Sequence, residues 1–206
     1  MNDWNTNYRE TPNVFGADPA PILKRHVDLI EFGLPILDVG CGQGRNSLFL
    51  ARRGHQVLAL DPSTVAVEQT GAAAKTEGVH VSSQIGVLED VVRPGNGFGA
   101  IMIFGLIPIL TRAEIGAMVA SIDRLIAPYG LLFITAFTTE DPKFKTDGKP
   151  SEYRHGTRTY LESDELRSLF SRWKVVEYWE GLGPVHRHGD GPVERHGLAE
   201  GVFQIP

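Results

Sequence analysis

The chain has 206 residues, of which 42% are hydrophobic and 22% are charged, a composition typical of one soluble globular domain. Its 20 lysines and arginines against 25 aspartates and glutamates give a formal charge of −5 without a basic run, and this balance disfavours nucleic acid as a partner. The longest apolar stretch, residues 98–110, covers 13 residues and is interrupted by two glycines and a proline, so it is too short to cross a membrane.

Cys41 is the single cysteine, which excludes an internal disulfide. Residues 1–8 are polar and do not form a basic and apolar targeting signal. Together these features predict a reducing, cytoplasmic setting. A small thiol behind a glycine turn is more often a packing residue than a nucleophile, so we expect no covalent catalysis by Cys41.

Short apolar runs alternate with helical patterns along the chain, which predicts an α/β domain with a parallel sheet covered by helices. The predicted strands lie at 35–40, 56–60, 79–84, 98–104, 129–137, 173–180 and 197–205, and the predicted helices lie at 20–32, 44–53, 63–77, 111–127 and 162–171. Thr111 and Glu114 have the spacing of a capping box, and Pro128 with Gly130 supplies a helix stop. One domain over residues 1–206 accounts for the pattern.

Three segments interrupt this alternation. Residues 1–18 form an arm before the first helix, and its aromatic part, residues 4–15, has no helical period. Residues 138–160 lack periodicity and contain Asp-Pro, Asp-Gly and Lys-Pro pairs, which is typical of a lid or substrate loop. Residues 181–196 form a turn-rich hairpin between the last two strands.

A glycine turn follows the first predicted strand. Gly40, Gly42 and Gly44 let the backbone turn tightly and admit a ligand close to the N–H groups of the next helix. A dinucleotide fingerprint would need a third glycine where Arg45 stands. Asp38, two residues ahead of the turn, favours a ligand that carries an ammonium group over a pyrophosphate.

Asp61 ends the second predicted strand. At a strand tip an acidic residue can accept hydrogen bonds from both hydroxyls of a ribose. The alternative is that Asp61 only caps the helix that begins near Ser63.

The run GRNSLFLARRG at residues 44–54 extends the glycine turn. With Asp38 and the glycines, it resembles the class I S-adenosylmethionine-dependent methyltransferases, and more closely their tellurite-resistance (TehB-type) and thiol methyltransferase branch. The likeness covers the chain from about Tyr8 to its end. It implies a Rossmann-like three-layer sandwich with a seven-stranded, mostly parallel sheet whose last strand is antiparallel. S-adenosyl-L-methionine is the cofactor that it implies.

By this resemblance, the cofactor lies across the carboxyl ends of the first strands, with Asp38 at its amino group and Asp61 at its ribose. The resemblance also implies that the N-terminal arm covers the cofactor, with Tyr8 and Arg9 as candidates for closing the pocket. The alternative is an arm that packs on the surface or is partly disordered. The implied cofactor-binding residues are Tyr8, Arg9, Asp38, Gly40, Cys41, Gly42, Gly44, Arg45, Asn46, Asp61, Pro62, Leu88, Glu89 and Phe104.

Two positions depart from the family pattern. Val87 stands where the family has an acid that reads the adenine amino group, which leaves Glu89 or Asp90 for that role. Gly99 stands where an aspartate is common at the start of the fourth strand.

The hairpin at 181–196 is dense in imidazole and guanidinium groups. Guanidinium groups hold oxyanions through paired N–H donors. His186, Arg187 and Arg195 are similar to a His-Arg pair and a later arginine that the family is proposed to use on the acceptor. Arg187 and Arg195 would then orient or neutralise an anion, while His186 would remove a proton or donate a hydrogen bond. The alternative is a solvated hairpin that supports a turn at 189–191.

His186, His188 and His196 also permit a metal site, because alternate residues of an extended segment share one face. No cysteine joins them, and carboxylate ligands such as Asp190 or Glu194 are only an option. We therefore expect no intrinsic metal.

These features predict an S-adenosylmethionine-dependent methyltransferase that acts on a small molecule, either a thiolate or an oxyanion such as tellurite or selenite. The nearest alternative is an O- or N-methyltransferase of a small metabolite whose lid selects a neutral substrate. A catalytically silent cofactor-binding module is a second alternative, and a nucleotide-dependent oxidoreductase a more remote one. Monomer and homodimer both stay open.

Overall fold

A seven-stranded sheet forms the centre of the computed structural model, which describes residues 4–147, 152–153, 156–187 and 193–206. The strands of this sheet are β1 (Ile36–Val39), β2 (Val57–Asp61), β3 (Val81–Ile85), β4 (Phe98–Ile103), β5 (Ile126–Phe137), β8 (Lys174–Leu182) and β11 (Gly197–Gln204). Two short pairs, β6 (Glu152–Tyr153) with β7 (Gly156–Thr157) and β9 (His186–Arg187) with β10 (Val193–Glu194), lie outside it.

The strand order is β3-β2-β1-β4-β5-β11-β8. The first five strands pair in parallel, and β11 runs antiparallel to both of its neighbours. The predicted seven-stranded, mostly parallel sheet with an antiparallel last strand is therefore confirmed. Because the order reverses between β1 and β4, the crevice at their carboxyl ends is the expected ligand site.

The helices are α1 (Trp4–Glu10), α2 (Pro21–His26), α3 (Arg45–Ala51), α4 (Thr64–Glu77), α5 (Arg112–Leu125), α6 (Pro142–Asp147) and α7 (Glu165–Leu169). Single 3₁₀ turns occur at Val27–Leu29, Leu88–Asp90 and Ile107–Ile109. None of the helices in the described ranges has the length and apolar character needed to cross a bilayer.

Alternate residues of the central strands face opposite layers. In β4, Ile101 and Ile103 pack in a core with α5 and α7, whereas Ala100 and Met102 pack in a second core with α2 and α3. Both sets are buried, so the strand reads as one apolar run. The glycine at position 99 fits this packing, since a Cβ there would lie 3.0 Å from the Cβ of Leu34.

Several predicted boundaries were wrong, and three of them concern the arm, α2 and the start of β5. The segment without helical period contains helix α1, which Trp4 and Tyr8 support by stacking one turn apart, with ring centroids 5.5 Å apart. Helix 20–32 is shorter, because α2 ends at His26 and a 3₁₀ turn follows. The helix predicted to reach residue 127 ends at Leu125, and β5 begins at once, three residues earlier than expected.

The predicted capping box of α5 is confirmed. Thr111 Oγ1 accepts the N–H of Glu114 at 3.3 Å, and Glu114 Oε2 accepts the N–H of Thr111 at 2.7 Å. These bonds satisfy two of the orphan donors at the start of the helix. The cap thus fixes where the chain leaves the loop after β4.

Thr111→Ala is expected to lower the free energy of unfolding by about 1 kcal/mol, because the helix loses its capping oxygen. Urea unfolding followed by circular dichroism measures this difference. Thr76→Ala is the matched control, since the Thr76 hydroxyl only donates back to the Ala72 carbonyl within α4 and its loss is expected to be nearly neutral. Equal effects of the two substitutions would contradict the role of the cap.

Candidate active site

The glycine turn after β1 uses backbone conformations that disfavour side chains. Gly40, Gly42 and Gly44 have φ of 68°, 52° and 83°, in the left-handed region. A Cβ on Gly42 would lie 3.2 Å from the Tyr8 hydroxyl, and one on Gly44 would lie 2.7 Å from the Thr70 side chain. Glycine is therefore required for both the conformation and the close approach of other groups.

Asp38 places a carboxylate in the core at the end of the first strand. Asp38 is only 2% exposed, and its Oδ2 accepts a hydrogen bond from the Ser47 hydroxyl at 2.5 Å. Burial raises the pKa of Asp38 to about 6, although the Ser47 bond and the charge of Arg45 act in the opposite direction. A cationic ligand group beside Asp38 would offset this cost of burial.

Asp61 connects two turns at the same edge of the sheet. Its Oδ2 accepts the N–H of Gly42 and its Oδ1 accepts the N–H of Ser63, both at 2.9 Å. Burial raises the pKa of Asp61 even though both N–H groups favour the charged form. The N-cap of α4 is Ser63, whose hydroxyl accepts the N–H of Ala66. Asp61 therefore holds the glycine turn as well as the approach to α4.

Helix α1 lies over this turn. Tyr8 is buried, and its carbonyl accepts the side-chain amides of Gln43 and Gln69 at 3.3 and 3.0 Å. Asn5 Oδ1 accepts bonds from the first residues of α4. Arg9 is exposed. Asn5, Gln43 and Gln69 could not be identified from the sequence, because nothing in their spacing indicates a contact between the arm and α4.

Arg45 and Asn46 attach the rest of the arm. Arg45 Nη1 donates to the carbonyl of Phe15 at 2.7 Å, and Asn46 Oδ1 accepts the N–H of Ala20 at 2.9 Å. Both side chains thus contact the segment that leads into α2. These bonds give a structural reason for the polar residues that follow the glycines.

The other predicted cofactor residues lie at the same edge. Pro62 and Glu89 are exposed, Leu88 is buried in the 3₁₀ turn after β3, and Phe104 is half-buried directly after β4. Cys41 is buried behind the turn, and burial raises the pKa of its thiol. A thiol that resists ionisation is a poor nucleophile, consistent with the expected packing role.

The predicted lid begins with a buried hydrogen bond between a carboxylate and an imidazole that no sequence pattern indicated. Asp141 Oδ2 bonds His196 Nδ1 at 2.8 Å, and Asp141 Oδ1 accepts the N–H of Lys143. Burial alone would raise the pKa of Asp141, but the bonds from His196 and Lys143 lower it overall. The His196 ring stacks on Phe137 with centroids 4.2 Å apart. In the sequence, the Asp-Pro pair at 141–142 indicated a turn. It gave no indication that Asp141 bonds to His196.

The hairpin brings His186 to His196 but separates the two arginines from them. The ring centroids of His186 and His196 are 5.1 Å apart. Arg187 is exposed and is paired with Val193 across the short strands. Arg195 is also exposed, and its Nε donates to the Gly183 carbonyl at 2.8 Å. His188, Asp190 and the predicted turn at 189–191 lie outside the described residues.

A cavity of about 370 Å³ lies between the lid and the start of α5. Its lining residues are Thr111, Arg112, Thr139, Phe144, Arg158, Thr159, Tyr160 and Glu162. The guanidinium of Arg158 lies 5.3 Å from the centre of the Phe137 ring, so the cavity adjoins the Asp141–His196 pair. A second cavity, of about 230 Å³ and lined by Val27 and His55 among others, lies at the opposite edge of the sheet.

Comparison with known proteins agrees with this geometry. Residues 36–130 match the family described as a methyltransferase domain. The probable S-adenosyl-L-methionine-dependent methyltransferase TehB of Haemophilus influenzae is 23% identical over 154 residues, which cover 74% of this chain and 50% of TehB. A ubiquinone biosynthesis O-methyltransferase of Rhizobium etli is 28% identical over 120 residues, which cover 58% of this chain and 45% of that enzyme. The chain thus spans about half the length of these curated relatives.

Solved structures establish the fold. The crystal structure of TehB from Haemophilus influenzae superposes with a TM-score of 0.76 at 19% identity, covering 91% of this chain and 63% of TehB. The 1,6-didemethyltoxoflavin-N1-methyltransferase of Burkholderia thailandensis, solved with S-adenosylhomocysteine, superposes with a TM-score of 0.70 at 19% identity, covering 98% and 85% of the two chains. The predicted Rossmann-like class I fold is confirmed.

The buried carboxyl of Asp38 predicts a specific pH dependence of stability. Its pKa is about 6 in the folded chain against an ordinary 3.8, so the folded state binds more protons between these values and Asp38 destabilises it as pH rises. Asp38→Asn is therefore expected to raise the free energy of unfolding by about 2 kcal/mol at about pH 7.5 and by little near pH 4. Urea unfolding at both pH values measures this.

Asp90→Asn provides the control, because Asp90 is an exposed acidic residue at the same edge of the sheet. It is expected to change stability little at either pH. A destabilising effect of Asp38→Asn at the higher pH would show that the Asp38 charge stabilises the ligand-free fold.

Proposed function

We propose that this chain is a class I S-adenosylmethionine-dependent methyltransferase whose domain includes the matched residues 36–130. We further propose that it methylates a small thiolate or an oxyanion such as tellurite or selenite. The observation that carries the acceptor class is the convergence of His186, His196 and Arg158 around the end of β5. Such groups suit an anion or a thiol that must lose its proton.

The residues at the glycine turn fit the cofactor. Asp38 offers a buried carboxylate to the ammonium group of the methionine part, and Asp61 has further lone pairs for the ribose hydroxyls. Gly40 and Gly42 leave room for its backbone contacts. When bound, S-adenosylmethionine supplies a methyl group on a positively charged sulfur, and Tyr8 would cover it from the side of α1.

The remaining predicted cofactor residues would line the pocket or support it. Leu88 and Phe104 form apolar walls, and Glu89 is the candidate for the adenine amino group. Arg45 holds the end of the arm at Phe15, and Asn46 holds Ala20 directly before α2.

The chain's own contribution to methyl transfer is alignment and exclusion of water. The acceptor lone pair forms the new bond to the methyl carbon while the sulfonium C–S bond breaks, and its electron pair stays on sulfur. For an anionic acceptor both charges shrink in this step, so a site closed by α1 and the lid lowers the barrier relative to water. The imidazoles of His186 and His196 are the groups that can hold a thiol acceptor and favour its deprotonated form.

The three arginines of the acceptor side have different roles. Arg158 lies against Phe137 at the cavity and can contact a bound anion directly. Arg187 is exposed on the hairpin and attracts anions over a longer range. Arg195 supports the hairpin through the Gly183 carbonyl. A cytoplasmic setting, in which the buried thiol of Cys41 stays reduced, belongs to the same proposal.

A second candidate function is methylation of oxygen or nitrogen in a small neutral metabolite. The rings of Phe144 and Tyr160, 5.1 Å apart, line the cavity of about 370 Å³, and aromatic walls suit a planar ligand of modest size. The similarity to an O-methyltransferase is consistent with this role. Transfer to neutral metabolites without transfer to thiols or oxyanions would favour it, and cofactor binding without any transfer would favour a silent binding module.

Asp61→Ala is expected to weaken binding of S-adenosylhomocysteine by about 1–3 kcal/mol, because the ribose loses a charged acceptor and the glycine turn loses its bond to the carboxylate. Isothermal titration calorimetry gives the affinity. Glu68→Ala removes an exposed carboxylate of α4 and is the control. Unchanged affinity of the Asp61 variant, with a native circular dichroism spectrum, would remove Asp61 from the site.

Arg158→Ala is expected to raise KM for tellurite and selenite about tenfold, since a bound oxyanion loses a charge-assisted bond, while affinity for S-adenosylhomocysteine stays the same. Arg187→Ala is expected to lower kcat/KM about two- to threefold, and only at low salt, because its attraction is screened. Arg172→Ala is the control, since that exposed arginine pairs with Asp123 on α5. Equal loss of cofactor affinity in the Arg158 variant would indicate folding damage instead.

A further inference from the structure

Three potential metal ligands converge on the hairpin. His186, Glu194 and His196 each offer one ligand atom, and these atoms lie within 4.8 Å of one another. The register of β9 and β10 places His186 opposite Glu194. His196 follows two residues after Glu194, and its ring centroid lies 5.1 Å from that of His186. Ligand atoms around one Zn²⁺ ion lie about 3.3 Å apart. Shifts of the side chains by about 1.5 Å would therefore bring the three ligand atoms to the distances of a zinc site.

Each of the three side chains is also held by a second group. His196 Nδ1 bonds Asp141 at 2.8 Å, and His186 Nδ1 lies 3.1 Å from the Pro184 carbonyl. Lys143 Nζ donates to Glu194 Oε1. Metal-ligating histidines almost always use one ring nitrogen in this way, on a carboxylate or a backbone carbonyl, which orients the other nitrogen as the ligand.

The separations within the cluster suit an ion better than direct bonds. His196 Nε2 and Glu194 Oε2 are 3.6 Å apart, longer than a normal hydrogen bond. His196 is only 2% exposed and stacks on Phe137, so its second nitrogen cannot turn toward bulk water. A cation between the imidazole and the carboxylate would satisfy both groups.

We propose that His186, Glu194 and His196 bind a divalent ion of borderline softness, with Zn²⁺ as the probe, and that an open coordination position takes the thiolate acceptor. Two imidazoles, one carboxylate and an open position are the ligand set of catalytic zinc sites, whereas structural sites are closed and rich in cysteine. The inference rests on the proposed function and deepens it, and it replaces the sequence-based expectation of no intrinsic metal.

The position of the cluster suits an acceptor site. His196 directly precedes β11, which is three strands from β1 in the sheet order. At a strand spacing of about 4.8 Å, the cluster lies roughly 10–15 Å along the sheet edge from Asp38. An acceptor bound there approaches the cofactor from the side of β4 and β5.

The ion would prepare the acceptor for attack. A thiol that binds the ion releases its proton to solvent. The thiolate lone pair then forms the C–S bond to the methyl carbon, while the sulfonium C–S bond breaks with its electron pair retained on the departing sulfur. The products are a methyl thioether and S-adenosylhomocysteine, and the ion is unchanged.

The first test is metal binding by the full, untagged chain after treatment with a chelator. Calorimetric titration with Zn²⁺ is expected to give binding that His186→Ala and Glu194→Gln each weaken about tenfold to hundredfold. His80→Ala is the matched control, because this exposed histidine precedes β3 at the far end of the sheet. Circular dichroism confirms that the variants fold. Absence of Zn²⁺ binding, or binding that neither variant weakens, would overturn the proposal.

The second test uses Co²⁺ as a spectroscopic replacement. Addition of 2-mercaptoethanol to the Co²⁺-loaded chain is expected to produce a sulfur-to-metal charge-transfer band, which would be lost in His186→Ala. A cobalt spectrum that the thiol leaves unchanged would overturn the acceptor role and make the ion structural. Thiol methylation that persists at full rate after metal removal would overturn this proposal while the proposed function stands. Thiol ligation to the metal without methyl transfer would support the site and count against the function.

Discussion

The bond between the Asp61 carboxylate and the Gly42 N–H is the contact on which the carboxyl ends of β1 and β2 depend. It joins the turn after β1 to the turn after β2, and the other carboxylate oxygen continues to Ser63 at the start of α4. Helix α1 then packs on both turns through Tyr8 and Asn5. One buried acidic group thus positions the glycine backbone, the approach to a helix and the N-terminal arm together.

Two buried carboxylates at one edge are unfavourable for the ligand-free chain. Burial raises the pKa of both Asp38 and Asp61, and the negative charge of Asp61 adds to the cost at Asp38. A more stable fold would place neutral residues here. A cation bound beside them would offset this cost, and the proposed cofactor S-adenosylmethionine carries positive charge on both its ammonium group and its sulfur. In that proposal, the stability that the two carboxylates cost the free protein is recovered when the cofactor binds.

The ends of the strands could be predicted from the sequence better than the contacts of the lid and the hairpin, for a physical reason. Strands and helices repeat with fixed periods, so the sheet and the residues at its strand ends, such as Asp38 and Asp61, could be placed from local pattern alone. Asp141 and Arg158 belong to a segment without a period, and Asn5 acts across 58 residues on Ser63. Contacts of that kind depend on tertiary packing, which no local pattern records.

Strand alternation also decides how the hairpin can act. His186 and Arg187 are neighbours in β9, so the pleat sends their side chains to opposite faces. Arg187 pairs with exposed Val193, whereas His186 lies opposite Glu194 and beside His196. A His-Arg pair read from sequence as one functional unit is thereby divided. The imidazole joins a carboxylate and a second imidazole in a partly buried cluster, and the guanidinium is left to the solvent. Chemistry at this hairpin therefore belongs to the cluster, and the arginine acts from a distance through its charge.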